Sequence, residues 1–413
     1  MSVSVSPPSS KVSSKVSSRA ASVDPQRWPD VARLPQASSR LRTAGIERRV
    51  QRALGKLPLR VRLGRREAVG LGGPLMEVYE PRAFFRRVGA DGLIGLGESY
   101  MAGEWDAYDL VGVLTALAED PAALAPSRPA VARRDTRPRG GLPSGLFPLF
   151  LDQTMSYSAA LFRTFPAEQN LLPAAQHRKI DRLLDLAEVG PGTQLLEIGT
   201  GSGESAIRAA QRGARVLTVT PSRAQYESAR VRVRDAGLEN RVTVLHREYR
   251  RILGRFDAIV SVETVEAVGE QSWPEYFMML DRLLAPGGRV ALQAVTQPHK
   301  ELLAARTGPT WLGKYVLPGG LVPSMEAIDH IVSGCTGLSV AARDGFGPHY
   351  AETLRLWRER FAAHAGDAHG LEETLRRMWT FHLALWEAGF RSGSLDVRQL
   401  LLTKGEPGPG ATA

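Results

Sequence analysis

The 413-residue sequence has a single cysteine, Cys335. One thiol excludes an intramolecular disulfide and any cysteine-cluster metal site, so a reducing cytoplasm is the expected setting. No run approaches the ~20 consecutive apolar residues that a membrane-spanning helix needs, which excludes an integral membrane protein. The first 22 residues, rich in Ser, Val, Pro and Lys, lack the apolar central run of a signal peptide. The eight histidines show no ligand spacing, so no metal is expected. Acidic residues are in deficit: 43 Asp and Glu face 53 Lys and Arg, a formal charge of +10. What is present is 43% hydrophobic and 23% charged residues, enough for a real core. The length predicts two folded units.

The positive charge is local. Residues 1–49 hold nine Lys/Arg against Asp24, Asp30 and Glu47, a balance of +6. Residues 126–141 hold Arg128, Arg133, Arg134, Arg137 and Arg139 against Asp135, a balance of +4, which leaves the rest neutral. Basic arms on a neutral body argue against a nucleic-acid-reading fold. They suit either an anionic surface such as a phospholipid bilayer or plain solvation.

Five stretches follow from composition and periodicity: a disordered basic tail and lead-in (1–49), a small mixed domain (50–122), a basic Pro/Gly/Arg-rich linker (123–145), a large α/β domain (146–404) and a flexible end (405–413). In the small domain Leu59, Val61 and Leu63 alternate with polar residues as a strand, and 75–79 is a second strand. Phe84–Val88 and Leu110–Leu117 read as helices on either side of the glycine-rich Gly95–Met101. The large domain repeats strand–helix units with strands apolar on both faces, which predicts a Rossmann-like parallel sheet covered on both sides. Two late amphipathic helices, near 350–365 and 370–389, predict a lid carried on that sheet.

The turn Glu197-Ile198-Gly199-Thr200-Gly201-Ser202-Gly203-Glu204 lies between a strand and an Ala-rich helix. Its glycines permit a tight turn and close approach of a ligand at the carboxyl end of the first strand. Position 204 is Glu rather than the third Gly of a dinucleotide fingerprint, and a pyrophosphate disfavours a nearby carboxylate. Glu197 suits a cationic ligand instead, such as the amino group and sulfonium of S-adenosylmethionine. Further along, Glu263 and Glu266 follow a buried strand three residues apart, so one helical turn places both on one side. The series Trp357, Phe361, Trp379, Phe381 and Trp386 reads first as core.

The sequence resembles the cyclopropane-fatty-acyl-phospholipid synthase family of S-adenosylmethionine-dependent methyltransferases, in its actinobacterial branch linked to methyl-branched fatty acids of the tuberculostearic type. The resemblance covers roughly residues 25–405. It is carried by Gly92–Trp105, Leu195–Gly203, the E-x-x-E-x-V-G element Glu263–Gly269, Trp273–Phe277, the Y-x-x-P-G-G element Tyr315–Gly320, and His349–Trp357. It implies methyl transfer to a cis double bond of unsaturated phospholipid acyl chains by a cytoplasmic enzyme peripheral at the inner membrane face. The product is a cyclopropane, a methylene branch, or a methyl branch once a separate reductase partner acts; methylene is favoured here, with Glu266 or a bound anion taking the proton. It also implies a bound bicarbonate as base.

Carried over residue by residue, Glu197, Gly199, Gly201 and Gly203 match the cofactor loop, with Ser202 where an aromatic is common. Thr220 and Gln225 match the ribose and adenine side, and Glu248 stands near the adenine. Glu266 and Tyr350 match the bicarbonate-holding set, whose cysteine and histidine are replaced by Ala159 and Gln293. Taken alone, Tyr350 reads as an ordinary core tyrosine and Gln293 as an amide satisfied by its neighbours. The family's His-Tyr-Asp-x-x-Asn cofactor cover is replaced by Arg139–Ser144. Two other classes stay open: a catalytically degenerate homologue that binds lipid or a reductase, and a methyltransferase of soluble small molecules.

Overall fold

The structure is a computed structural model that describes residues 23–35, 40–119, 142–366 and 371–405. The basic segment 126–141, most of the expected tail and the family-divergent positions 139–141 lie outside the described residues. The amino-terminal part comprises α1 (Pro29–Ala32), α2 (Arg40–Leu54), β1 (Arg60–Leu63), β2 (Val69–Gly70), β3 (Leu75–Val78), α3 (Pro81–Met101), β4 (Trp105–Ala107) and α4 (Leu110–Glu119). Its strands form a small sheet in the order β2-β1-β3-β4.

Two expectations change here. The glycine-rich stretch is no interruption: α3 runs through it, with one kink at Gly92. Glycine at 97 is needed because a Cβ there would lie 2.2 Å from the Trp311 ring. The lead-in is also not loose throughout, since Trp28 and Val31 are each only 2% exposed. The buried Arg87 holds that segment, donating to the carbonyls of Asp30 at 2.8 Å and Val31 at 2.7 Å and pairing with Glu104 at 3.0 Å.

The remainder comprises α5 (Leu172–Leu186), β5 (Gln194–Ile198), α6 (Glu204–Gln211), β6 (Arg215–Thr220), α7 (Arg223–Asp235), β7 (Val242–His246), β8 (Phe256–Val262), α8 (Val265–Val268), α9 (Trp273–Leu283), β9 (Leu284–Thr296), α10 (His299–Ala305), α11 (Met325–Cys335), β10 (Leu338–Gly345), α12 (Gly347–His364), α13 (Glu373–Arg391) and β11 (Asp396–Lys404). The seven strands run β10-β11-β9-β8-β5-β6-β7. β5 to β9 are mutually parallel, and β11 returns antiparallel to both β9 and β10. The chain goes from β5 outward through β6 and β7, then crosses back to β8 on β5's other side. The switch point therefore falls between the carboxyl ends of β5 and β8, where open α/β sheets bind ligands.

α12 and α13 bury the rings of Trp357, Phe361, Trp379 and Phe381, none more than 1% exposed. One apolar core runs from these rings to Trp28, Phe84 and Trp105, so the small sheet and the helical layer share an interior. Arg377 of α13 clamps the join: it donates to the Trp105 carbonyl at 3.0 Å, pairs with Asp106 at 3.1 Å and lies 4.0 Å over the Tyr100 ring. Among the described residues no helix is long and apolar enough to cross a membrane.

Candidate active site

At the end of β5, Gly199, Gly201 and Gly203 all have positive φ (91°, 51° and 86°). A Cβ at Gly199 would lie 2.6 Å from the Thr264 hydroxyl, and one at Gly203 3.0 Å from Ala229. The loop is thus built from bare backbone. Ser202, where the family commonly has an aromatic, donates to the Thr154 carbonyl at 2.8 Å and ties the loop to residues 151–158. Glu204 is taken up by His177 and Arg232.

Beneath the loop the buried Glu197 accepts from Thr218 at 2.7 Å. Burial pushes its carboxyl up to about 7, against the pull of Thr218, Ser205 and Lys179. A positive group placed beside it would favour the charged form. Thr220 ends the neighbouring strand and donates to Gln225 at 2.7 Å, and Glu248 follows the next strand, exposed and 3.6 Å from Arg250. Glu197, Thr220 and Glu248 therefore stand at the carboxyl ends of three adjacent strands, with Gln225 at the start of α7. Bare backbone, a buried carboxylate and flanking hydroxyl and amide groups fit the amino acid and nucleoside ends of S-adenosylmethionine.

The second half of the site follows β8. Glu263 has φ 47°, a left-handed conformation uncommon for a side chain of this kind. Its amide donates to the Gln293 carbonyl at 2.7 Å. Its Oε1 accepts from the Ala159 amide at 2.9 Å and from Gln293 Nε2 at 2.8 Å, and its Oε2 accepts from the Tyr350 hydroxyl at 2.7 Å. The register explains the convergence: Val262, Gln293 and Gln399 are direct neighbours across β8, β9 and β11. Gln399 Nε2 donates both to the Lys179 carbonyl, at 3.2 Å, and to Gln293 Oε1, at 3.0 Å. A carbonyl can only accept, so this chain turns the Gln293 amide nitrogen toward Glu263.

Burial pushes the Glu263 carboxyl up, while Ala159, Tyr350, Lys179 and Gln293 pull it back. Burial, followed by Glu263, holds the Tyr350 hydroxyl well above its ordinary range, so it remains a donor. Lys179 is only 1% exposed and donates to Ser158 at 2.6 Å. Burial lowers it to about 8, opposed by Glu263, Asp152, Glu197 and Glu204, so one ammonium lies under both halves of the site.

The structure brings Tyr350 and Gln293 together but seats Glu266 differently. Its Oε1 accepts from the Val295 amide, while its Oε2 is buried with no hydrogen-bond partner. Burial, then Glu263, pushes its carboxyl up to about 8. The residues that the resemblance assigns to bicarbonate do not fit that anion as arranged. Ala159, Gln293 and Tyr350 already donate to Glu263, and a second anion would meet a like charge in a buried place. Glu263 was legible as half of a carboxylate pair. Lys179 had a signal too, being a lysine beside Ile180 in the apolar stripe of α5. Gln399 had none, because only strand pairing makes it a neighbour.

Beyond Tyr350 the wall is aromatic: Phe390 lies 4.6 Å, Trp357 6.1 Å and Trp386 6.3 Å from its ring, centroid to centroid. Tyr157 stacks on Trp357 at 5.3 Å and its hydroxyl meets His382 at 3.2 Å. Burial pushes His382 down to about 3, so no imidazolium stands among these rings.

A methyltransferase strand order, with a carboxylate rather than a phosphate cradle at the switch point, defines the class: an S-adenosylmethionine-dependent methyltransferase. Residues 134–400 match the family described as mycolic acid cyclopropane synthetase. The chain is 46% identical to tuberculostearic acid methyltransferase UfaA1 of Mycobacterium tuberculosis, over 94% of this chain and 97% of that protein. It is 32% identical to cyclopropane-fatty-acyl-phospholipid synthase of Escherichia coli, over 78% of this chain and 86% of that one. Among solved structures, mycolic acid cyclopropane synthase CmaA1 complexed with SAH and CTAB matches with a TM-score of 0.58 at 28% identity, covering 63% of this chain and 94% of that one. The chain belongs to the mycolic acid cyclopropane synthetase family.

Proposed function

We propose that the protein methylates one carbon of a cis double bond in an unsaturated fatty acyl phospholipid, forming a methylene branch that a separate reductase converts to a methyl branch. The observation that carries this reading is the polar cluster of Glu263, Tyr350 and Gln293 that follows β8, adjoining through Thr264 the Ile198–Gly199 start of the glycine loop and through Tyr350 an aromatic wall. Bound S-adenosylmethionine supplies an electrophilic methyl group. An alkene is a weak nucleophile, so the work of the chain is to hold it in line and dry. Aromatic faces near Tyr350 favour the positive centre left on the acyl chain. That cation then needs an acceptor for one proton from the added carbon. The relative UfaA1, a tuberculostearic acid methyltransferase, supports this choice of product class.

The proposed cofactor residues are Glu197, Gly199, Gly201, Gly203, Thr220, Gln225 and Glu248, with Tyr350 and Gln293 organising the reacting end. The test is mass analysis of acyl chains from a host rich in unsaturated lipid that lacks its own synthase, with and without the protein. The expected outcome is acyl chains heavier by one CH2 unit, bearing a C=CH2 methylene branch. A cyclopropane ring in those chains would overturn the methylene assignment, and unchanged lipids would overturn lipid methylation.

A further inference from the structure

We propose that the Glu263 carboxylate fills the anion seat of this active site and is itself the base that accepts the proton, so that the enzyme needs no bicarbonate. The inference rests on the methyl-transfer reading above and adds to it the identity of the base.

Three donors from three separate parts of the chain end on this one carboxylate: the Ala159 amide, the Gln293 side chain and the Tyr350 hydroxyl. None of them is a local partner, since Ala159 is 104 residues and Tyr350 87 residues away in sequence. Each carboxylate oxygen offers about two lone pairs. Ala159 and Gln293 take both on Oε1, and Tyr350 takes one on Oε2, which leaves one lone pair on Oε2 for a proton. The donors also fix the plane of the carboxylate, so that acceptor needs no reorganisation when the proton arrives.

The backbone is the second observation. A glutamate held at φ 47° carries strain that a glycine would not. Strained residues persist where the surroundings over-determine them, and here the surroundings are the three donors and the amide bond to the Gln293 carbonyl. Glu266, the other carboxylate of the pair, is ill suited to the task. One oxygen is engaged by the Val295 amide, the other is buried with no hydrogen-bond partner, and its neighbour Glu263 disfavours a second charge. Hydrogen bonds to the charged form favour it, and of the two carboxylates Glu263 has three such donors.

The chemical step balances. The π pair of the alkene forms the new bond to the methyl carbon, and the pair of the breaking C–S bond stays on sulfur. The charge left on the neighbouring chain carbon is moved onto the methylated carbon by a 1,2-hydride shift. That cation then loses a proton from the added methyl to Glu263 Oε2, and the C–H pair becomes the C=CH2 double bond of the branch. The Glu263 carboxylic acid returns the proton to water after product leaves, with Tyr350 and Gln293 as positioning residues.

The test compares the wild type with E263Q and E263G in degassed, bicarbonate-free buffer, with and without millimolar sodium bicarbonate. Titration of each protein with 13C-labelled bicarbonate, followed by NMR, reads the anion seat directly. Wild type should turn over at the same rate in both buffers and bind no bicarbonate. E263Q should lose about 10²–10⁴-fold in rate while keeping its affinity for S-adenosylmethionine, which shows that it folds. E263G relieves the backbone and vacates the seat, so it should bind bicarbonate saturably and become bicarbonate-dependent. A wild type that binds or requires bicarbonate, an E263Q at the wild-type rate, or an E263G indifferent to bicarbonate would each overturn the proposal. If no variant methylates lipid under any condition, the methyl-transfer reading fails, and the NMR titration still decides whether Glu263 holds the seat.

Discussion

At the scale of single residues, the instructive contrast is between two carboxylates three positions apart. Glu263 has three donors, and Glu266 has one donor and an oxygen with no partner. Glu266 also faces Glu263, Tyr350 and Tyr276, none of which supplies a positive charge. Its folded carboxyl keeps its proton up to about 8, whereas the unfolded chain releases it near 4.5. Between those values the folded state binds more protons, so this residue's contribution to stability falls as pH rises and levels off above about 8. Glu197, pushed up to about 7, acts in the same direction. E266Q keeps an acceptor for Val295 and removes the titration. Its urea midpoint should match wild type at the acid end of the window and exceed it progressively toward the alkaline end. The gain there should be about 1–3 kcal/mol, the range for an unsatisfied buried polar group. A constant offset across the window would remove this explanation.

At the scale of elements, α3 shows why the small domain was harder to read than the sheet. Its Gly95-Leu96-Gly97 looks like a break in sequence, yet the helix continues because Gly97 admits Trp311 and Phe381 against its backbone. G97A keeps helix propensity and would even favour the helix in isolation. In the molecule its methyl meets two buried rings, and the cost should be about 1–3 kcal/mol, typical of overpacking. Thermal unfolding checks this, and an unchanged or higher melting temperature would show the rings free to shift. The large sheet, by contrast, was legible because apolar strands and Ala-rich helices repeat, and each signal is local. The hub of the site was only half legible. Glu263 and Glu266 could be paired from spacing, but the left-handed turn that separates their roles depends on Gln293 and Ala159. Gln399 reaches Gln293 across 106 residues through antiparallel pairing, and nothing local announces that. The two family elements Gly92–Trp105 and Tyr315–Gly320 also turn out to be partners. Glu98 accepts from Lys314 at 2.5 Å and from Tyr315 at 2.8 Å. Leu321, just past that second element, donates to the Glu266 carbonyl at 2.9 Å.

At the scale of the whole molecule, the positive charge can be divided again. Part of the amino-terminal surplus is spent inside the fold: Arg27 pairs with Glu372 at 3.2 Å, and beside it Trp28 donates to the same carboxylate at 2.8 Å. Asp30 meets Lys314 at 2.7 Å, so this short segment pins the start of α13 and the Tyr315 element together. W28A should therefore act as a core mutation, costing about 3–5 kcal/mol, rather than as the trimming of a tail. The segment 126–141 holds five arginines against Asp135 in sequence and lies outside the described residues. If the substrate is a phospholipid, this local surplus of positive charge suits an anionic bilayer. Each basic residue held near such a surface contributes about 1 kcal/mol. Replacing Arg128, Arg133, Arg134, Arg137 and Arg139 by glutamine should then weaken sedimentation with anionic vesicles by more than an order of magnitude. Added salt should do the same to the wild type, because exposed charges are screened over about 8–10 Å at moderate ionic strength. Neither change should alter the melting temperature, which W28A lowers. Vesicle binding that ignores both salt and the five arginines would place the lipid contact on the apolar surface instead.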